Sequence, residues 1–293
     1  MLKWTVQQNW HWKGLQWTMA AENPVEIATG VYSVPVGNGG NNVYLVVGER
    51  AVFIDSAHDD MDEVDSLVNC WRNVGSPDLV GIVLTHRHLD HAGGARRLAD
   101  EVGGEIISSP VEKSHIEQQL PETRISLTVE DGETVDLGGV TLEFVHTPGH
   151  TLGSVCVYHR EERIIYTGDH ILGSSSTSIN PTQGDMSLYL ESLRKLLSYD
   201  IRLICPGHGP LIYEPRQNIE SLIKRRMERE GQILKFLKDG PRTDGEVFQA
   251  IYAKLSPTLH GTALKQIQSH LVKLERDGKV HKLRNKQSMY RLV

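Results

Sequence analysis

The sequence predicts an α+β chain: two sheets held between helical layers, followed by a small helical domain closed by a two-stranded ribbon. Three observations predict it. Short β-branched runs alternate with amphipathic helical stretches through the first two thirds of the chain. Hydrophobic residues make up 39% of 293 residues, enough to fill a real core, so a low-complexity or disordered class is excluded. The net charge of −6 is also divided. Residues 216–293 hold 17 basic and 8 acidic side chains and the rest hold 14 and 29, a contrast of +9 against −15 that implies two domains in different surroundings.

Taken in order, VYSVPV, NNVYLVVG and RAVFIDSA read as strands separated by Gly and Asn turns. Asp60–Val74 reads as a helix, with Met61, Val64, Leu67, Val68 and Trp71 spaced by three or four. DLVGIVLT is a continuous apolar run, as a buried strand requires. Ala92–Val102 is then helical, and EIISS, ISLTV, VTLEFVHT, VCVYHR and RIIYTGD read as strands. MSLYLESLRKLL is an amphipathic helix and IRLICPG the last strand of this part. Asn218–Lys238 is one long helix carrying Ile219, Leu222, Ile223, Met227, Ile233, Leu234 and Leu237 on a face. Thr243 caps a second helix, GEVFQAIYAKL, and a third spans Gly261–Asp277. VHKL and SMYRLV follow as two strands joined by RNKQ, which gives the element order of a winged-helix domain. The division is therefore a Trp-rich arm (1–24), a main domain (25–214) and a winged-helix-like domain (215–293).

No run approaches the roughly 18 apolar residues of a membrane span. The opening MLKWTVQQNWHWKGLQW is broken by polar residues, so it lacks a signal-peptide core. Cys70, Cys156 and Cys205 form no CxxC and no even framework, which points to a reduced, cytoplasmic setting. The arm holds Trp4, Trp10, Trp12 and Trp17, read as indoles packing on the main domain, with a stacking or homodimerisation element as the alternative.

The chemistry starts at Thr85-His86-Arg87-His88-Leu89-Asp90-His91, directly after the buried strand. Four ligand-type side chains within six positions would repel one another when protonated and have no obvious structural use. At a strand end, His86 and His88 point one way while Asp90 and His91 turn toward a second point, which suits two adjacent cations. Three single residues each follow a strand in a Gly-containing loop: His150 in HTPGHTLGS, Asp169 in YTGDHILG and His208 in CPGHGP. Together they supply His86, His88 and His150 for one ion, Asp90, His91 and His208 for the other, and Asp169 to bridge both. Imidazole and carboxylate select Zn2+, two per chain, with Fe or Mn fitting the same set.

This series resembles the metallo-β-lactamase superfamily: THRHLDH matches its HxHxDH element, and GH at 149–150, GD at 168–169 and GHG at 207–209 match its later elements in order. The resemblance implies an αββα sandwich over about residues 25–212, with a two-metal site at one edge of the sheets, and hydrolase chemistry. TPGHTLGS resembles the glyoxalase II-like branch, which hydrolyses thioesters, although the glutathione-contacting residues of true glyoxalase II enzymes find no match. Members with an inserted β-CASP domain are excluded, because only 38 residues separate Asp169 from His208. LGSSSTSINPTQGDMSLYLESLRKLL, PGHGP and the HLVKLERDGKV helix resemble the β-lactamase-like protein 2 group, which pairs the sandwich with a C-terminal winged helix. That group includes single-stranded RNA endonucleases, and its fungal relatives release polyketides as thioesterases.

The expected function is a dinuclear metal-dependent hydrolase using a metal-bridging hydroxide. Its first expected substrate is a phosphodiester in single-stranded RNA. The alternative is a thioester, on a small molecule, coenzyme A or an acyl carrier; a metal-stabilised binding or regulatory protein comes third. Asp90 is the expected catalytic residue, ligating one ion and orienting the nucleophile. Asp55 is expected to fix a ligand imidazole or loop backbone. His146 is assigned to the core or to support of a ligand, His170 to the core or the pocket wall, His58 to the metal loop, and Ser174–Thr177 to a polar loop. As a nucleic-acid reader, the third helix (Lys265, Lys273, Arg276) and wing (Lys279, Lys282, Arg284, Lys286, Arg291) would contact phosphates. As scaffolding, the domain would cap the sandwich through Ile223, Met227 and Leu234.

Overall fold

A strand buried on both faces must be mostly apolar, and the strands Ala51–Ile54, Val155–His159, Ile164–Gly168 and Leu203–Pro206 are buried at every position. The computed structural model describes residues 24–37, 40–283 and 288–293, so the Trp-rich arm, Arg284 and Lys286 lie outside the described residues. The first sheet orders β1 (Val25–Ala28), β2 (Val31–Val36), β3 (Asn41–Val47), β4 (Ala51–Ile54), β5 (Leu79–Val83), β6 (Glu105–Ser108) and β7 (Leu127–Thr128) side by side. It is antiparallel from β1 to β4 and parallel from β4 to β7. The second sheet runs β12 (Leu203–Pro206), β11 (Ile164–Gly168), β10 (Val155–His159), β9 (Thr141–His146) and β8 (Thr134–Asp136), with only the β11–β12 pair parallel.

Side-chain alternation splits each strand between two cores. On β3, Val43 and Leu45 face α1 (Met61–Asn73) and α3 (Ala95–Val102), while Tyr44 and Val46 face the second sheet. On β10, Val157 joins that inter-sheet core, and Cys156 and Tyr158 turn outward to meet Tyr189, Leu190 and Leu193 of α5 (Met186–Leu196). The layers are thus helix, sheet, sheet, helix. Each fully buried Leu, Ile or Phe contributes about 2 kcal/mol, so three contiguous cores hold the two sheets in register.

Several boundaries differ from the sequence reading for local reasons. The helix expected over 92–102 begins only at Ala95, as α3, after a separate turn α2 (Leu89–Ala92); the junction packs so closely that a Cβ at Gly94 would sit 2.3 Å from Ser56 O. ISLTV forms only the two-residue β7, at the edge of its sheet. A helix that the sequence reading passed over, α4 (Pro110–Gln119), precedes it, capped by Ser109 with Pro110 at its first turn. The short β8 was also passed over.

The long helix α6 (Pro215–Leu237) starts three residues earlier than expected, with Pro215 at its first position. Its first half puts Ile219 and Leu222 into the sandwich core; its second half puts Ile233 and Leu237 into a separate core. That core also holds Val247 and Phe248 of α7 (Asp244–Tyr252), Ile267, Leu271 and Leu274 of α8 (His260–Arg276), and Val280 and Tyr290. A third sheet of β13 (Arg242–Thr243), β15 (Met289–Leu292) and β14 (Val280–Leu283) closes it. Thr243 forms a full capping box with Glu246, as its position after DGPR suggested. Of the residues expected to cap the sandwich, Ile223 packs on it, Leu234 faces the C-terminal core and Met227 is 41% exposed. Among the described residues, no helix is long and apolar enough to cross a membrane.

Candidate metal centre

Each donor stands where a strand gives way to a tight loop. The loop after β5 delivers Thr85, His86 and His88, the α2 turn delivers Asp90 and His91, the loop after β9 delivers His150, Asp169 directly follows β11, and His208 lies two residues past the end of β12. Close backbone approach is needed there. A Cβ at Gly207 would lie 2.6 Å from His91 Cε1, and one at Gly168, whose φ is +45°, would lie 2.4 Å from Thr85 Oγ1.

The seven side chains singled out in the sequence converge in two groups: His86, His88, His150 and Asp169, and Asp90, His91 and His208. In the first, His88 Nδ1 lies 3.0 Å from His86 Nε2 and 3.0 Å from His150 Nε2. In the second, His208 Nε2 is 3.0 Å from Asp90 Oδ2 and 3.3 Å from His91 Nε2. Asp169 joins them: Oδ2 is 3.6 Å from His150 Nε2, and Oδ1 is 3.3 Å from His91 Nε2 and 3.4 Å from His208 Nε2.

These separations test the fit to a cation. Ligands 2.0–2.1 Å from a tetrahedral zinc stand about 3.3 Å apart, which is the middle of the observed range. His88 Nδ1 also faces two imidazole nitrogens at once, and a single proton can serve only one such pair. Two histidine sets and a carboxylate with one oxygen toward each therefore fit a pair of cations.

The far side of four of the five rings is held by a hydrogen bond. His91 Nδ1 donates to Asp55 Oδ2 at 2.7 Å and His150 Nδ1 to Ser178 O at 2.8 Å. His86 Nδ1 donates to Thr85 Oγ1 at 3.1 Å, which in turn donates to Asp55 Oδ2 at 3.0 Å. His88 Nε2 reaches Gln183 Oε1 at 3.4 Å. Asp55 thus does both things expected of it, since its Oδ1 also accepts the Thr85 backbone N–H at 2.8 Å. Its φ of +66° is uncommon for a non-glycine residue, and these bonds hold it there.

The charges follow. Burial pushes His86 well below its ordinary value, reinforced by the neighbouring histidines, and lowers His150 to about 4. Burial would push His91 down too, but Asp55 and Asp169 outweigh it and hold the ring protonated well above the ordinary value. Burial likewise opposes ionisation of Asp169, yet His91, His150 and His208 hold it at about 2. A cation held beside His91 would displace that proton, so binding would release protons to solvent.

Other candidates fall elsewhere. His58 is exposed and pairs with Glu63 at 3.3 Å. His146 Nε2 donates to Val129 O at 3.2 Å and belongs to neither donor group. His170 is buried against the Tyr189 ring, with centroids 4.9 Å apart. The 174–177 loop is more specific than expected, since Thr177 is buried with Oγ1 3.2 Å from His150 Nδ1.

The sequence reading missed Glu112 and Asn41. Glu112, fully buried on α4, accepts the Arg87 N–H at 3.1 Å and the Gly153 N–H at 2.9 Å. Asn41 bonds the Asp90 carbonyl and bridges to His208 across the two sheets. No motif marks either; only the fold brings them in.

Comparisons with known proteins match both parts of the chain. The model of the metallo-beta-lactamase superfamily matches residues 36–208, and that of the beta-lactamase associated winged helix domain matches residues 243–287. A Beta-lactamase-like protein 2 homolog of Caenorhabditis elegans is 31% identical over 243 residues, 82% of this chain and 80% of that protein. An atrochrysone carboxyl ACP thioesterase of Aspergillus fumigatus is 33% identical over 189 residues, 59% of this chain and 56% of that protein. A crystal structure of a beta-lactamase domain protein from Burkholderia ambifaria superposes with a TM-score of 0.82 at 18% identity, covering 94% of both chains.

Proposed function

Because this chain belongs to the metallo-β-lactamase superfamily and is a hydrolase of that kind, we propose that it cleaves acyl thioesters with two zinc ions. The observation that carries the two-cation reading is Asp169, which turns one carboxylate oxygen to each donor group. His86, His88 and His150 would hold one ion, Asp90, His91 and His208 the other, and Asp169 both. Ions bound there supply Lewis acidity and bring a water's pKa down toward neutrality.

The chain's own part is orientation. Asp90 is 29% exposed on the open side of the centre. Burial raises its pKa, but the His208 contact and the His91 charge hold the carboxyl below its usual range. It therefore accepts a hydrogen bond from the attacking water and aims it, while being too weak a base to remove the proton alone. Water oxygen adds to the thioester carbonyl, the C–S bond breaks, and carboxylate, thiol and one proton leave.

A thioester is favoured over RNA by what has become of the expected reading helix. Lys273 lies 3.1 Å from Glu230 and 2.7 Å from Asp277, and Arg276 pairs with Asp185 of the sandwich. The helix thus uses these cations within the chain. The relatives named as carrier-protein thioesterases support the same choice. Single-stranded RNA is the second reading, favoured by the +9 charge of residues 216–293 and by Lys265, Lys279, Lys282 and Arg291, which stay exposed.

The test incubates the zinc-loaded protein with acyl-coenzyme A thioesters and, separately, labelled single-stranded RNA, each beside His88→Ala. The expected result is thiol release that falls on the order of a hundredfold or more in the variant, as loss of a metal interaction worth several kcal/mol requires. RNA cleavage with intact thioester would replace this substrate with the second; turnover that survives His88→Ala would remove the metal reading.

A further inference from the structure

We propose that the C-terminal domain is a positioning clamp on one of the two donor groups, acting through the segment 177–185. This inference rests on the reading that the seven donors hold two cations.

The segment lies between the domain and the site. On its outer side, four side chains of α6 and α8 grip it. Arg226 Nη2 donates to Thr177 O at 2.7 Å, Ser269 Oγ donates to Ile179 O at 2.6 Å, and Gln266 Oε1 accepts the Ile179 N–H at 3.1 Å. Arg276 pairs with Asp185, which also caps α5 and donates its backbone N–H to Gly149 O at 2.9 Å. Three of the four, Arg226, Gln266 and Ser269, are buried, so water does not compete for these bonds. The Arg226 guanidinium also lies over the Tyr189 ring, 5.3 Å from its centroid.

On its inner side, the same few residues orient the first donor group. Ser178 O and Thr177 Oγ1 take the His150 Nδ1 hydrogen, and Gln183 Oε1 meets His88 Nε2. The Gln183 carbonyl also accepts from Arg87 Nη2 at 3.2 Å, between His86 and His88. His150 and His88 therefore get their ring orientations from a segment whose other edge is fixed by the winged helix.

The second group is held differently. His91 is bonded to Asp55, directly after β4, and the Asp90 carbonyl to Asn41 of β3. The clamp should thus act on one cation and spare the other. Arg226, Gln266 and Ser269 are positioning residues in this sense: they touch no donor atom, and they set the backbone that does. The arrangement explains why α8 faces inward with its polar residues and keeps little of itself for a partner.

The test uses the full chain and cobalt(II), whose absorption reports ligand geometry. Ser269→Ala and Arg226→Gln are each made in two backgrounds: His208→Ala, which leaves the first group complete, and His88→Ala, which leaves the second. Loss of a partner supporting a metal ligand costs roughly 10- to 100-fold in affinity. The dissociation constant for cobalt is expected to rise by that factor in the His208→Ala background and to stay within about twofold in the other. Equal weakening in both backgrounds, or none in the first, overturns the clamp. Wild-type protein, expected to take up two equivalents, tests the two-cation reading separately. Melting curves of the metal-free variants confirm folding, and Ser269→Ala, which removes one hydroxyl, carries the test if Arg226→Gln does not fold.

Discussion

Asp169→Asn is expected to reduce bound zinc from two ions per chain to one or fewer and to lower kcat/KM by on the order of a thousandfold. The reason is geometric before it is electrostatic. The carboxylate offers Oδ1 to the His91 and His208 side and Oδ2 to the His150 side. An amide keeps one acceptor and turns an NH2 toward the other group, where it meets a cation instead of a lone pair. The charge then counts in the same direction. Held at about 2, Asp169 is ionised at every ordinary working pH and offsets part of the repulsion between two dications. Several kcal/mol of lost stabilisation, at about 1.4 kcal/mol for each factor of ten, gives the expected rate. Elemental analysis with a thermal melt of the same sample checks it. Two ions and undiminished turnover in Asp169→Asn would show that the carboxylate bridges nothing.

What could be read in the sequence is what is local in it. His86, His88, Asp90 and His91 lie within one turn of chain, so their spacing alone placed them on two sides of a strand end. His150, Asp169 and His208 each had only a glycine and a strand beside them; the shared pattern of strand, glycine and donor made them legible together. Strands β3 and β10 were legible as short β-branched runs, a local property that holds whatever the strand pairs with. Element α4 was not. Its buried face consists of Glu112 and Ile116, which leaves no apolar periodicity to find.

The supporting residues divide by sequence distance. Asp55 was legible because it follows a strand directly beside the donor loop. Asn41 contacts the Asp90 carbonyl 49 residues away, and Ser269 contacts Ile179 at 90 residues. No pattern in either neighbourhood encodes such a contact. The charge of the C-terminal domain is a related case: Lys273 meets Asp277 four residues on, but Glu230 and Asp185, which pair with Lys273 and Arg276, are distant in sequence and only folding brings them in. Composition gives net charge, and pairing decides how much of it a partner can use.

Glu112→Ala is expected to cost as much stability as truncating a fully buried core side chain. Glu112 is fully buried; Oε1 accepts the Gly153 N–H and stands 3.7 Å from Arg87 Nη1, while Oε2 accepts the Arg87 N–H. Truncation leaves the buried Arg87 guanidinium and two backbone N–H groups without that acceptor. Breaking a buried ion pair from one side costs about 3–5 kcal/mol, a large part of the roughly 5–15 kcal/mol that holds a domain folded. At roughly 2–4 °C per kcal/mol for a protein of this size, the metal-free midpoint should fall by about 10 °C. Glu112→Gln, which keeps one acceptor oxygen but not the charge, should fall between. The measurement is made on metal-free protein, because bound cations would stabilise the variant and hide the loss. Function should follow stability here, since the two N–H groups lie on different donor loops, one between His86 and His88 and the other three residues after His150. A midpoint within about 2 °C of the parent would mean that the two loops are held together by the sheets alone, with α4 a bystander.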